Sequence, residues 1–326
     1  MANAVQDPWE EYLKTYKVHE ESYAFTGALA AHSVQPFNKY SIEDARQVFP
    51  AIFKAAAGEI EFDGQVEELV IPSPYVTSGI PSSVYKPRNR AANPAILVYF
   101  HGGGLIILDR KSYETALKII ARDAGCVIVN VDYRLLHSTG KGLDPFDDAV
   151  AATKWVLANK ERVGGSPSSK VGVGGDSAGG QLSACVTNEV KGLAFQILVY
   201  PHVDTSMSQP SVTEFINVPV LSKYDAEWFV NLASQALPNY HTDPRINPMI
   251  RTSTKQSPPT LVLLAQLDPI RDCGLVYAEK LKADGVRVRI VVIEGVPHIF
   301  FGLCAVFKTK CQEAYGHVVH FIKEFQ

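Results

Sequence analysis

"VGVGGDSAGGQLSA" (residues 171–184) decides how the rest of this chain is read. It opens as a short apolar strand, turns through Gly175-Asp176-Ser177-Ala178-Gly179, and runs on as a helix. That is a G-x-S-x-G pattern in the strand–turn–helix setting that gives it chemical meaning. A serine held on so tight a turn has a strained backbone, and a side chain two residues before or after it would clash, so both of those positions, Gly175 and Gly179, are glycine. At average glycine and serine frequencies the pattern arises by chance in roughly one chain in ten, as an ordinary glycine-rich turn. Here the strand before it and the helix after it are both present.

Outward from that turn, the next decisive stretch is "LVYFHGGGLIILD" (97–109), an apolar run that ends in a histidine and three glycines. Glycine loses more backbone freedom on ordering than any other residue, so Gly102, Gly103 and Gly104 together call for a reason. A serine attacking an ester carbonyl generates an oxyanion, which needs backbone N–H donors already aimed at it. Such donors supply on the order of 3–4 kcal/mol each. A run of glycines brings the backbone close with nothing in the way. "HGGG" after an early strand is the lipase/esterase form of this device, paired with the N–H of the residue following the nucleophile, here Ala178.

The remaining pattern alternates. "QVEELVI" (65–71) and "SSVYKP" (82–87) read as early strands, followed by "AILVYF" (95–100), "CVIVNVDY" (126–133), "KVGVGG" (170–175), "AFQILVYP" (194–201), "TLVLLAQLD" (260–268) and "RVRIVVIEG" (287–295). Helical patterns lie between them and at the C-terminus. Short β-rich runs alternating with helices predict a mostly parallel sheet with helices on both faces. Residues 1 to about 58 read as helical; "SIEDARQVFPAIFKAAAG" (41–58) starts with Ser41 and Asp44 in capping-box-like spacing and ends at a glycine. Between 203 and about 245 the alternation stops, and "TEFINVPVLSKYDAEWFVNLAS" (213–234) reads as a helical insertion rich in apolar side chains.

The 326 residues are 46% hydrophobic with a formal charge of −3, enough chain for one large α/β domain with an insertion. No basic stripe points to nucleic acid. No run approaches the ~18 apolar residues that span a bilayer. The opening "MANAVQDPWEEYLK" lacks the basic-then-apolar layout of a secretory signal. Five cysteines (126, 185, 273, 304 and 311) without paired spacing fit reduced, buried thiols, so the expectation is a soluble cytoplasmic protein. Dinucleotide binding is unsupported, since Ser177 stands where G-x-G-x-x-G needs its third glycine after Gly172 and Gly174. No P-loop occurs, and histidines and cysteines show no zinc spacing, so no metal is implied.

These motifs, in this order, resemble the hormone-sensitive-lipase-like family of α/β-hydrolase esterases, the arylacetamide-deacetylase-like carboxylesterases. The matching residues are "HGGG" (101–104), "VDYR" (131–134), "GGDSAGG" (174–180), "ILVYP" (197–201), "LDPIRD" (267–272) and "EGVPH" (294–298). The resemblance implies an α/β-hydrolase fold over residues 59–326, with a helical cap built from residues 1–58 and the insertion at about 203–245. It also implies a serine carboxylesterase acting on small to medium acyl esters. Ser177 would be the nucleophile, His298 the base and Asp268 the acid. Asp268 immediately follows an apolar strand, whereas Asp272 falls in the next loop or helix. Of nine histidines, His101 belongs to the oxyanion loop and His317 and His320 to the last helix. His298 follows a strand after the acid, giving the α/β-hydrolase order of serine, acid, histidine.

Gly103, Gly104 and Ala178 would hold the oxyanion, and no cofactor is called for. Leu105, Phe215, Trp228 and Ile299 are the expected pocket residues, with Val220, Leu221 and Phe229 beside them. An acyltransferase or amidase would share the acyl-enzyme step, and a ligand-binding receptor is the non-catalytic alternative. The partner is a small-molecule ester, and a homodimer is one allowed assembly. Three departures from the family stand out. "YRLLHSTGKGLDPFDDA" (133–149) replaces the usual continuation of the "DYR" loop. Leu105 stands where an aromatic residue is common. Ile299 replaces the usual glycine after the histidine, which predicts a loop that differs or closes more tightly on the pocket, because a β-branched residue resists positive φ.

Overall fold

The computed structural model describes residues 7–138 and 142–326. Eight strands form one sheet: β1 Gly64–Ile71, β2 Ile80–Pro87, β3 Ile96–Phe100, β4 Val127–Val131, β5 Val171–Asp176, β6 Phe195–Val199, β7 Thr260–Leu267 and β8 Val288–Pro297. Their spatial order is β1-β2-β4-β3-β5-β6-β7-β8. β1 and β2 form an antiparallel hairpin that also meets β4 antiparallel, and every pairing from β4 to β8 is parallel.

The helices are α1 Glu20–Ala31, α2 Ile42–Ala57, α3 Glu114–Ala124, α4 Asp144–Ala158, α5 Ala178–Glu189, α6 Pro210–Glu214, α7 Lys223–Ala236, α8 Arg271–Ala283 and α9 Lys308–Lys323. α3 packs on α9, whereas α4 packs on α5. Strand β7 shows why both faces are apolar. Leu261, Leu263 and Ala265 join the main core, while Val262 and Leu264 join a second cluster with Cys273, Tyr277 and Leu281 of α8. Residues i and i+2 share a face, so a strand covered on both sides reads as an unbroken hydrophobic run. That is why β3, β4, β5 and β6 are buried at every position.

Two expectations need correction. The first 58 residues are not helical throughout: residues 8–15 form turns, and residues 1–6 of that expectation lie outside the described residues. Ser41 does cap α2, its hydroxyl accepting from Asp44 N–H. The 213–234 stretch is two helices, not one. α6 ends at Glu214, and α7 starts afresh after Ser222, whose side chain forms a reciprocal capping box with Asp225. Pro219 lies between them, and proline both lacks a donor and disfavours helix in the residue before it.

The N-terminal segment and the region between β6 and β7 meet above the strand ends. Asn38 N–H donates to Asp225 Oδ1 at 3.1 Å, and the Phe37 and Phe229 rings lie 5.3 Å apart. Part of the departing loop, residues 139–141, lies outside the described residues. What flanks it is held by Arg134, which grips Asp148 through Nε and Nη2 at 2.9 and 2.8 Å and meets Asp144 at 2.9 Å. No helix among the described residues is long and apolar enough to cross a membrane.

Candidate active site

Ser177 sits between β5 and α5 with φ 52° and ψ −118°, a left-handed region that costs a non-glycine residue on the order of 1–3 kcal/mol. Its neighbours explain the glycines. A Cβ on Gly175 would lie 2.4 Å from the Phe100 carbonyl oxygen, and one on Gly179 would lie 1.9 Å from the same atom. No side chain survives such approaches. The turn therefore presses against the end of β3, where the "HGGG" loop begins. Gly103 and Gly104 both have positive φ, 110° and 63°. Together with Ala178, which opens α5, they line the pocket that holds Ser177. The start of a helix leaves N–H groups free and carries partial positive charge, which suits a developing anion.

Sequence reasoning missed what anchors that loop. Asp176 is fully buried. It accepts hydrogen bonds from Tyr99 Oη (2.8 Å), Tyr113 Oη (2.6 Å) and Gly102 N–H (2.9 Å). Burial raises its carboxyl above the usual range, and the bonds from Tyr113 and Tyr99 pull it back. Asp176 occupies the first variable position of G-x-S-x-G, where the pattern gives no hint of a role. A Cβ on Gly102 would lie 2.3 Å from Asp176 Oδ2. Gly102→Ala should therefore leave a folded protein whose oxyanion loop is displaced, with ester turnover down by on the order of 10²–10³, the scale of losing one oxyanion donor. Steady-state kinetics checks this, and near-normal kcat would show that the loop does not depend on Asp176. His101 is buried and stacks on Tyr133 with ring centres 4.3 Å apart.

The histidine and acid arrive from the other side. Between Ala265 and Leu267 the β7–β8 register shifts, and such irregularities re-aim the strand end. Gln266 Oε1 caps the irregularity by accepting from Gly295 N–H at 2.9 Å. Beyond it, Asp268 is fully buried. Its Oδ1 accepts from Ile270 N–H at 2.9 Å, and its Oδ2 lies 2.7 Å from His298 Nδ1. His298 Nε2 lies 2.9 Å from Ser177 Oγ. The imidazole, 2% exposed, rests on the Tyr200 ring at 4.4 Å. Asp272 is engaged elsewhere: it accepts from Ser211 N–H at 3.0 Å and from Arg271 Nε at 2.8 Å. Three side chains distant in sequence thus form one hydrogen-bonded row. It can pass a proton from a hydroxyl to an imidazole that a carboxylate supports.

The pocket over Ser177 is narrow, about 50 Å³, and largely apolar. Of the expected walls, Leu221, Phe229 and Ile299 line it, and Val220 lines a neighbouring cleft. Leu105, Phe215 and Trp228 line neither, which corrects that expectation. Leu105 is fully buried in the core at positive φ. Phe215 packs with Trp9, Tyr12, Val218 and Leu267, beneath the Arg271 guanidinium at 5.1 Å. Trp228 lies on α7 beside Phe229, but the pocket face of that helix is Ala226, Phe229 and Val230, the i, i+3, i+4 positions.

Of the two outcomes expected at Ile299, the altered backbone is the one that fails. The loop keeps the conformation that suits a glycine, with Ile299 at φ 68° and ψ −6°, and the isoleucine tolerates it. His202 and Gln181, which drew no attention in the sequence, also line the pocket. Burial pushes the His202 imidazole down to about 4, against the opposing pull of Asp204. It is therefore neutral at neutral pH. Among the described residues no group of three or more His, Cys, Asp or Glu side chains is placed to hold a metal ion.

With this geometry in view, the comparisons with known proteins are specific. Residues 97–302 match the family of the alpha/beta hydrolase fold. The chain is 29% identical over 287 residues to an ethyl acetate hydrolase of Pseudomonas putida, covering 86% of this chain and 89% of that protein. It is 33% identical over 268 residues to the carboxylesterase NlhH of Mycobacterium tuberculosis, covering 74% and 82%. Among solved structures, the hyperthermophilic esterase of the archaeon Pyrobaculum calidifontis superimposes with a TM-score of 0.83 at 29% identity, covering 94% of this chain and 98% of that one. An α/β-hydrolase enzyme from the Lake Arreo metagenome gives 0.85 at 26% identity, over 94% and 98%. The chain belongs to the α/β-hydrolase fold family, in its hormone-sensitive-lipase-like branch. Its class is that of the carboxylic ester hydrolases.

Proposed function

We propose that this protein is a serine esterase that hydrolyses small to medium acyl esters through Ser177, His298 and Asp268. The observation that carries the reading is the unbroken row from Asp268 Oδ2 through His298 to Ser177 Oγ, at 2.7 and 2.9 Å, on the wall of a narrow apolar pocket. His298 Nε2 takes the hydroxyl proton as Ser177 Oγ bonds to the acyl carbon. Asp268 holds the imidazole in the required tautomer and stabilises the imidazolium. The oxyanion is received by the N–H groups of Gly103, Gly104 and Ala178. His298 then returns the proton to the departing alkoxide, leaving an acyl group on Ser177. Water, deprotonated by His298, attacks that carbonyl, and His298 returns the proton to Ser177 Oγ as its bond to the acyl carbon breaks and the acid leaves.

Two observations support the small-ester end of the range. A volume of about 50 Å³ holds only a few water-sized groups, and one relative is named for ethyl acetate. The reading carries a cytoplasmic placement, supported by five free cysteines, four of them buried.

The test is pre-steady-state hydrolysis of 4-nitrophenyl acetate and butanoate, repeated with added alcohols and amines. A burst equal to the enzyme concentration, with water as the dominant acceptor, is the expected result. Release dominated by transfer to the alcohol or amine would make the protein an acyltransferase or amide-forming enzyme instead. Absence of turnover on any ester would remove the esterase reading altogether.

A further inference from the structure

The pocket over Ser177 has a neighbour ten times its size. A cleft of about 510 Å³ lies between the N-terminal segment and the region around α7, its lining mainly apolar, with Phe25, Leu29, Phe49 and Val220, but also including Lys39 and Asp225. Three residues line both spaces: Phe37, Phe53 and Ile299. The partition is therefore one side chain thick. Its aromatic members are held on several sides. Phe37 stacks on Phe49 at 4.0 Å and meets Phe229 at 5.3 Å, and Phe53 meets Tyr113 at 5.8 Å. Ile299 is held by aliphatic packing against the main core. It follows His298 directly, is only partly covered by protein, and has a left-handed φ of 68° that β-branched residues resist. Val220, on the facing loop of the same cleft, is a second β-branched residue at positive φ, 82°. Backbone strain of this kind persists only where the surroundings impose it, and it concentrates at sites of function.

We infer that Ile299 is the specificity-determining wall of this site: with Phe37 and Phe53 it separates the pocket at Ser177 from the large apolar cleft, and so limits the substrate to short alkyl chains. The inference rests on the esterase reading and deepens it. A glycine at 299 would adopt the same backbone without strain and would remove the aliphatic part of the partition. A chain extending from the ester would then continue into the apolar cleft. Each added methylene would be buried instead of meeting the wall, and burial of alkyl surface is favourable in proportion to area. The wall acts on whichever side of the ester points at it, acyl or alkoxy.

The experiment compares wild type, Ile299→Gly, Ile299→Asn and Phe37→Ala. Substrates are 4-nitrophenyl esters with acyl chains of two to twelve carbons, and acetate esters of alcohols over the same range. In one of the two series, Ile299→Gly should raise the kcat/KM ratio of the ten-carbon to the two-carbon ester by about 10-fold or more, the scale at which a pocket discriminates chain length. Phe37→Ala should move the ratio the same way. Asparagine tolerates positive φ and keeps a side chain of moderate length, so Ile299→Asn should retain the short-chain preference. A gain in Ile299→Asn equal to that in Ile299→Gly would assign the effect to strain and overturn the wall.

A second measurement does not depend on turnover. Calorimetric binding of decanoate to Ser177→Ala should tighten about 10-fold or more when Ile299→Gly is added, if the acyl side meets the wall, and decanol should do so if the alkoxy side does. Unchanged ratios in both series, with both ligands bound equally by the single and double variants, would overturn the inference while leaving the esterase reading intact. Loss of all ester turnover with the binding difference present would do the reverse.

Discussion

On the proposed mechanism Ser177→Ala should remove the covalent route and lower ester hydrolysis by on the order of 10⁴–10⁶, the scale of nucleophile loss in serine hydrolases. At 1.36 kcal/mol per tenfold, that is about 5–8 kcal/mol of barrier. No rearrangement is available to replace the attacking group. The proposed oxyanion donors on Gly103, Gly104 and Ala178 are backbone N–H groups that the substitution leaves in place, so the residual rate should exceed that of the uncatalysed reaction. The fold should survive too. Alanine removes one hydroxyl, whose hydrogen-bond partner is His298 Nε2, and it tolerates the left-handed turn about as poorly as serine does. Circular dichroism and melting temperature should match wild type while kcat collapses. A variant that keeps a tenth of the activity would show that Ser177 is not the nucleophile.

The proposed acid, Asp268, provides the second large expected effect. Asp268→Asn should cost about 10⁴ in kcat, because an amide at that position favours the wrong imidazole tautomer. Asp272→Asn should cost little in kcat. Its carboxylate holds Ser211 N–H and Arg271 Nε, so its loss should appear mainly in stability, through the joint between α6 and α8. The two carboxylates are four residues apart in "DPIRD" (268–272), and the distinction between them rests on the strand end. Asp268 immediately follows β7 and reaches His298 Nδ1 at 2.7 Å. Kinetics of the two purified variants decide the matter, and the reverse ranking would move the acid to Asp272.

The fold class was legible in the linear chain because the forces behind it are local and periodic. Strands buried on both faces read as apolar runs, such as "ILVYF" (96–100), and the helices between them read by their own period. The turn at Ser177 was legible for a steric reason: Gly175 and Gly179 stand within 2.4 and 1.9 Å of one carbonyl oxygen for any added Cβ, so no other residue type serves. The resemblance supplied the "LDPIRD" and "EGVPH" segments, and within it position after a strand singled out Asp268 over Asp272 and His298 among nine histidines as the expected acid and base.

Everything that depended on which way a side chain points had to wait for the tertiary structure. Leu105 and Phe215 are apolar and adjacent to site segments, yet Leu105 is buried within the main core away from the pocket and Phe215 in a separate cluster. Apolar character does not say which surface a residue covers. Trp228 missed the pocket by one position on α7, a rotation of about 100° on a 3.6-residue helix. Asp176 carried no signal, because its three hydrogen-bond donors come from Tyr99, Gly102 and Tyr113, more than sixty residues earlier in the chain. Ile299 is the sharpest instance. Local sterics argue that a β-branched residue cannot keep the backbone of a glycine. Packing around the loop holds it there at φ 68°, because the contacts of a folded core outweigh a conformational cost of on the order of 1–3 kcal/mol at one residue.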